Sequence, residues 1–269
     1  MNVAFIGGGN MAHAMLGGLR QGGMPMPAMR VVEPDAAKGA ELERAFGVVA
    51  HISAGEWLRG ADVVVLAVKP QQAQVAVAAA APFMAAPLVV SIAAGVRGAT
   101  LARWLGHERI VRAMPNTPAL IRQGITGAVA LPGVSDLQRA DADRILQSIG
   151  TVLWLDDEAL LDPVTAISAS GPAYVFYFIE ALQDAALDMG FSTAQARALA
   201  VETFAGASQL ARQSDEPVSV LRERVTSKGG TTAAALARLN QHDVRSRIVE
   251  AARAARDRAS ELGDEFDVD

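Results

Sequence analysis

Residues 3–6, Val-Ala-Phe-Ile, form an unbroken apolar run. It passes directly into Gly7-Gly8-Gly9-Asn10-Met11-Ala12 and then into helical spacing over residues 12–19. A run this short, rich in strand formers and ended by glycines, predicts strand, tight turn, helix. The same kind of punctuation recurs. Short apolar runs predict strands at 30–33, 48–50, 62–68, 88–92, 109–113, 125–131 and 152–155. Helical spacing predicts helices at 36–46, with Gly47 as the stop, around 56–58, and at 136–149. The run Asp-Val-Val-Val-Leu-Ala-Val at 62–68 does not alternate with polar residues, which marks a strand covered on both faces of a parallel sheet. The pattern changes at Asp156. From there to residue 262 no strand is predicted, and helices are expected at 172–189, 194–213, 218–225, 232–239 and 243–262. The helix opened by Pro172 is apolar on most faces, so it is expected to be buried centrally or against another subunit. The acidic tail from Gly263 is expected to fray. The reading is therefore α/β with a mostly parallel sheet over residues 1–157, followed by an all-helical half over 158–269.

Composition narrows the class further. The chain is 51% hydrophobic and 20% charged, which suits a globular protein with a sizeable core. Its net charge of −5 gives no reason to expect nucleic acid or an anionic membrane as a partner. It has no cysteine, hence no disulfide framework, thiolate metal site or cysteine nucleophile. The N-terminus lacks a basic region, and glycines interrupt its apolar run, so it does not read as a signal peptide. Residues 75–94 are apolar enough to resemble a membrane span. Pro82 and Pro87 instead divide them into a helix end and a buried strand. A cytoplasmic location is expected.

The first turn carries the chemistry. Gly7, Gly9 and Ala12 give the spacing G-x-G-x-x-A between strand and helix. Gly7 permits the tight turn, Gly9 lets a pyrophosphate approach the backbone, and Ala12 lets the helix pack close to the sheet. The helix N-terminus adds free N–H groups and a partial positive charge. This points to a dinucleotide. Glu33 ends the second strand, about 20 residues on, where such folds contact the adenosine ribose. A carboxylate there bonds a 2′-hydroxyl and repels a 2′-phosphate. Lys69 sits at the carboxyl end of a strand, where open α/β sheets bind ligands. Ala93, Ala94 and Gly95 again permit close backbone approach. Met114-Pro115-Asn116-Thr117-Pro118 reads as a stiff polar loop without helix or strand character.

Other motifs carry less. Ser227-Lys228-Gly229-Gly230-Thr231-Thr232 has P-loop letters in the wrong order and no strand before them, which excludes NTP hydrolysis. What remains is a diglycine turn feeding a helix, either an ordinary threonine cap or a pocket for a carboxylate. Ser168 and Ser170 lie in no G-x-S-x-G elbow. His13, His51, His107 and His242 are scattered without neighbours at ligand spacing, so no metal is expected.

Taken together, the blocks resemble the pyrroline-5-carboxylate reductase family. They are Phe5-Ile6-Gly7-Gly8-Gly9-Asn10-Met11-Ala12, Ala67-Val68-Lys69-Pro70, Ser91-Ile92-Ala93-Ala94-Gly95, Arg112-Ala113-Met114-Pro115-Asn116-Thr117-Pro118, Ser168-Ala169-Ser170-Gly171-Pro172-Ala173-Tyr174 and residues 227–232. They stand in family order and span nearly the whole chain. Three positions depart from the family pattern: Lys228 for proline, Ala169 for glycine, and Glu33 where many members keep small or basic residues.

The resemblance implies a Rossmann-type domain followed by a helical dimerisation domain. It implies cofactor contacts from Ile6, Gly7, Gly9, Asn10, Met11, Ala12, Glu33, Ala67, Val68, Lys69, Pro70, Ala93, Ala94, Gly95 and Asn116, with NADPH or NADH as cofactor. It places Glu158, Ser227, Gly230, Thr231 and Thr232 at the substrate, with Thr232 beside the ring nitrogen. It implies an interlocked homodimer, in some members a ring of dimers, whose active site is shared between subunits. The implied reaction reduces 1-pyrroline-5-carboxylate to L-proline, the last step of proline biosynthesis. A β-hydroxyacid dehydrogenase has a similar layout, but its catalytic lysine has no counterpart in the helix after Gly171-Pro172. A non-catalytic nucleotide sensor is the other alternative.

Overall fold

A computed structural model describes residues 1–267. By contacts along the backbone the described residues divide into two units, residues 1–170 with the stretch from 255 to 267, and residues 171–254.

The first unit is built on an eight-stranded sheet. Its strands are β1 (Val3–Ile6), β2 (Met29–Val32), β3 (Val49–His51), β4 (Val63–Leu66), β5 (Leu88–Ser91), β6 (Ile110–Met114), β7 (Gly124–Ala130) and β8 (Gly150–Trp154). Their order across the sheet is β3-β2-β1-β4-β5-β6-β7-β8. Every pairing is parallel except β6 with β7. Between the strands run α1 (Asn10–Gln21), α2 (Ala36–Phe46), α3 (Pro70–Ala80), α4 (Gly98–Leu105) and α5 (Asp136–Gln147). This is a doubly wound sheet, and its order turns back at β1 and β4, where such folds bind ligands.

The strand sequences explain why both faces need helices. Alternate residues of a strand point to opposite faces. Val3 and Phe5 enter one core cluster with Met15, Leu16, Met29, Ile145 and Leu146. Ala4 and Ile6 enter the other with Leu58, Val64, Leu66, Val77 and Leu101. The unbroken apolar runs are therefore covered twice over. Side-chain caps set several helix ends. Asp35 accepts from Ala37 and Lys38 at the start of α2, and Ser135 with Gln138 forms a capping box on α5.

After β8 the chain makes a short 3₁₀ turn, Glu158–Leu160, then α6 (Leu161–Val164) and one π-helical turn, Thr165–Ala169. The second unit follows with α7 (Gly171–Asp188), α8 (Thr193–Gln213), α9 (Val218–Arg224), α10 (Thr231–Gln241) and the start of α11 (Val244–Asp267). Within it, α7 and α8 pack together over small residues such as Ala186, Ala196 and Ala200. In the single chain Phe176 is 61% exposed, Tyr177 70% and Leu210 67%. Large apolar side chains left uncovered in this way mark a candidate interaction surface. Among the described residues no helix is long and apolar enough to cross a membrane.

Two expectations are corrected. Residues 114–118 are not wholly irregular: Met114 closes β6, and Thr117–Ile121 forms a 3₁₀ turn. The acidic tail is not frayed as far as Asp267, because α11 continues to that residue and its carboxylates are paired. Residues 268–269, part of the same expectation, lie outside the described residues.

Candidate functional site

The glycine turn is held by the sheet beneath it. Gly7 has φ +98°, and a Cβ there would lie 2.6 Å from the Ala67 carbonyl oxygen. Only glycine satisfies both the dihedral angle and the close approach of β1 to β4. Ala12 is fully buried, so α1 lies close on the sheet. At Gly9, the residue before α1, an added Cβ would meet no protein atom within 4 Å. The fold itself therefore does not require glycine there, and the space lies on the cleft side of the turn. That is the room a pyrophosphate needs above the first N–H groups of a helix.

The cleft around this turn has a volume of about 800 Å³. Ile6, Gly7, Gly9, Glu33, Ala67, Val68 and Lys69 line it. Pro70 is the first residue of α3, with Lys69 just before it. Asn10 and Met11 begin α1. Glu33 Oε2 accepts the Gly8 N–H at 3.0 Å, and Oε1 accepts the Asp35 N–H at 3.0 Å. Lys38 pairs with Asp35 at 3.9 Å. Ser53 and Gln72 also line the cleft. Neither belongs to a motif, and only the folded positions of β3 and α3 bring them there.

Ala93, Ala94 and Gly95 follow β5, farther along the sheet, and line a separate small cavity with Arg112, Asp162 and Leu262. Asn116 is buried. Its Oδ1 accepts the Ile125 N–H at 2.9 Å, and its Nδ2 donates to the Ser168 carbonyl at 3.0 Å. Glu158 Oε1 accepts the Gly98 N–H at 2.6 Å and pairs with the buried Arg112. Its carboxylate thus ties the turn after β8 to the start of α4.

In the second unit, Ser227, Gly230, Thr231 and Thr232 come together in one turn. The Gly230 N–H donates to the Ser227 carbonyl at 3.0 Å, and Gly229 has φ +73°. Gly230 precedes α10 with no side chain capping the helix, so the first N–H groups of α10 are not used by a cap. Thr232 is half-buried, while Ser227 and Thr231 are exposed. The histidines stay apart: His13 packs edge-on against Phe46, and His51 stacks on Trp57 at 4.2 Å. Burial and the charge of Arg30 lower the His51 pKa. Among the described residues no group of three or more metal-ligating side chains gathers.

Residues 2–95 match the family described as NADP oxidoreductase, coenzyme F420-dependent, and residues 158–262 match pyrroline-5-carboxylate reductase dimerisation. A pyrroline-5-carboxylate reductase of Pseudomonas aeruginosa is 43% identical over 266 residues, 98% of this chain and 97% of that protein. The chain belongs to the pyrroline-5-carboxylate reductase family. An Escherichia coli member is 40% identical over 252 residues, 93% of each chain. The structure of a Coxiella burnetii pyrroline-5-carboxylate reductase superposes with a TM-score of 0.92 at 38% identity, covering 97% of this chain and 98% of that one. A Plasmodium falciparum pyrroline carboxylate reductase with NADP bound superposes with a TM-score of 0.86 at 28% identity, covering 98% of each. The chain is accordingly an NAD(P)H-dependent oxidoreductase, with a Rossmann-type sheet and a helical dimerisation region.

Proposed function

We propose that this chain reduces 1-pyrroline-5-carboxylate to L-proline, the last step of proline biosynthesis, with NADPH or NADH as cofactor. The observation that carries the reading is the whole-length match. Proteins named for this activity align over 98% of the chain, so both the glycine turn and the 227–232 turn lie inside the matched length. When bound, a reduced nicotinamide supplies the hydride that the C=N carbon takes up, and the ring nitrogen gains a proton to become an amine. The protein's task is placement, because a protonated imine is already electrophilic. Orientation of two reactants can contribute several powers of ten in rate.

The residues divide that task. Gly7, Gly9 and Ala12 seat the pyrophosphate on α1, and Glu33 takes the adenosine ribose. The first N–H groups of α10, at Thr231 and Thr232, take the substrate carboxylate, favoured by the helix dipole. The Thr232 hydroxyl orients the ring nitrogen. An unperturbed hydroxyl is a poor acid near neutrality, so Thr232 is assigned orientation and not the proton transfer. The helical region assembles the homodimer that its family match and its uncovered Phe176 and Tyr177 support, with rings of dimers as the higher assembly. The absence of a lysine in α7 weighs against β-hydroxyacid dehydrogenase chemistry. The test is loss of nicotinamide absorbance on mixing NADPH or NADH with racemic 1-pyrroline-5-carboxylate, with proline identified as product. Failure to consume either cofactor with this substrate would end the reading.

A further inference from the structure

The last turns of α11 return to the first unit and close on the loop that follows β5. Arg97 stands just before α4 and donates to Asp267 through Nη1 at 2.7 Å and to Asp264 through Nη2 at 2.5 Å. The Thr100 hydroxyl bonds the other oxygen of Asp267. A Cβ added at Gly95, which has φ +78°, would lie 3.3 Å from the ring of Phe266. A Cβ added at Gly263 would lie 3.3 Å from the Arg97 guanidinium and 3.5 Å from the Gly95 carbonyl oxygen. Two glycines, one on each side, thus let helix and loop approach. An ion-paired arginine, a threonine and a phenylalanine fasten them. Phe266 also packs against the core cluster on that face of the sheet.

The loop so fastened includes residues 93–95, which the sheet order places on one side of the glycine turn. Glu33, at the end of β2, lies on the other side, since the order runs β2-β1-β4-β5. A dinucleotide with its pyrophosphate on the turn and its adenosine ribose at Glu33 extends its other half toward β4 and β5. Two strand spacings, about 10 Å, separate β1 from β5. We propose that Arg97 and Phe266, acting with Asp264 and Asp267, are positioning residues for the nicotinamide half of the cofactor. They hold residues 93–95 in place from behind without touching the cofactor. The inference rests on the cofactor placement proposed above.

The test compares binding of NADH and of ADP-ribose, which lacks the nicotinamide, by calorimetry on the full chain. The variants are Arg97→Ala, Phe266→Ala, the conservative Phe266→Leu, and Ala94→Leu in the loop itself. The expected result is roughly 10-fold weaker NADH binding for Arg97→Ala and Phe266→Ala, with unchanged ADP-ribose binding and most of the loss recovered in Phe266→Leu. Equal weakening of both ligands would mean general destabilisation and overturn the proposal. If Ala94→Leu weakens NADH while Arg97→Ala and Phe266→Ala do not, the loop seats the cofactor but the clamp does not position it. If all of these variants bind NADH normally, the cofactor placement itself is wrong.

Discussion

The carboxylate of Glu33 accepts the backbone N–H of Gly8 at 3.0 Å. Its second oxygen holds the Asp35 N–H, so the negative charge is fixed beside the glycine turn. Lys38, which lines the same cleft, pairs with Asp35 instead. A 2′-phosphate brought to this place meets a pinned like charge, worth roughly 1–3 kcal/mol when partly desolvated. The wild-type enzyme should therefore favour NADH. Glu33→Ser should raise the NADPH-to-NADH ratio of kcat/KM about 10-fold or more. A strong NADPH preference that this substitution leaves unchanged would show that another group sets the choice.

Gly9 has no protein neighbour waiting for its missing side chain. Gly9→Val should fold with a melting temperature close to wild type, because its φ of −70° suits any residue. Cofactor affinity should nevertheless fall at least about 10-fold, as the valine fills the space where phosphates approach the backbone. Retained affinity in the folded variant would move the pyrophosphate elsewhere.

Much of this arrangement is legible in the sequence, for physical reasons. Helix α2 is bounded by an Asp35 cap and a left-handed Gly47, both local signals, and its observed ends at Ala36 and Phe46 coincide with the expected ones. Strands β1 and β4 announce burial on both faces because no polar residue interrupts them. Strand direction is not written in composition, so the reversed pairing of β6 with β7 emerges only from the fold. Distance in space is not written either. Arg97 and Asp267 stand 170 residues apart, and an acidic C-terminus reads locally as a solvated end. Asn116 shows the same limit: no local signal tells that its amide bonds Ile125 and the Ser168 carbonyl, 9 and 52 residues away.

Glu158 is a case where a local structural bond and a proposed substrate contact compete for one side chain. The Arg112 side chain paired with it is only 9% exposed. Glu158 keeps 34% of its side-chain exposure, so removing its carboxylate from the buried guanidinium costs about 1–3 kcal/mol. Glu158→Ala should lower the urea midpoint accordingly, and adding Arg112→Met should restore part of the loss. An unchanged midpoint in Glu158→Ala would leave the carboxylate free for substrate alone.

Thr232 occupies the second position of α10, half-buried, in the turn closed by Ser227 and Gly230. Thr232→Ala should lower kcat/KM for the pyrroline about 10- to 100-fold, the size of one hydrogen bond lost in a closed site. Thr232→Ser should recover most of it, and the dissociation constant for NADH should barely move. Weakened nicotinamide binding with a normal substrate KM would invert the assignment of the two turns.

The C-terminal clamp predicts an acid sensitivity of its own. The Asp267 carboxyl lies below its ordinary pKa, chiefly through the hydrogen bond from Thr100 and then through Arg97, with burial opposing and the charge of Arg103 adding a little. Among the described residues Asp264 is the other acid on the same guanidinium. A depressed folded pKa means that the unfolded chain takes up the proton first as the pH falls. The contribution is therefore complete above the unfolded carboxylate value of about 3.9 and is lost below it, through the folded pKa. Asp267 retains 30% of its side-chain exposure, so screening keeps the contribution near 1 kcal/mol. At one fixed protein concentration, wild type should exceed Asp267→Asn in unfolding free energy by about that much at neutral pH. The two should converge as the pH drops below about 4. A difference that persisted undiminished in acid would mean that Asp267 acts through packing rather than through its charge.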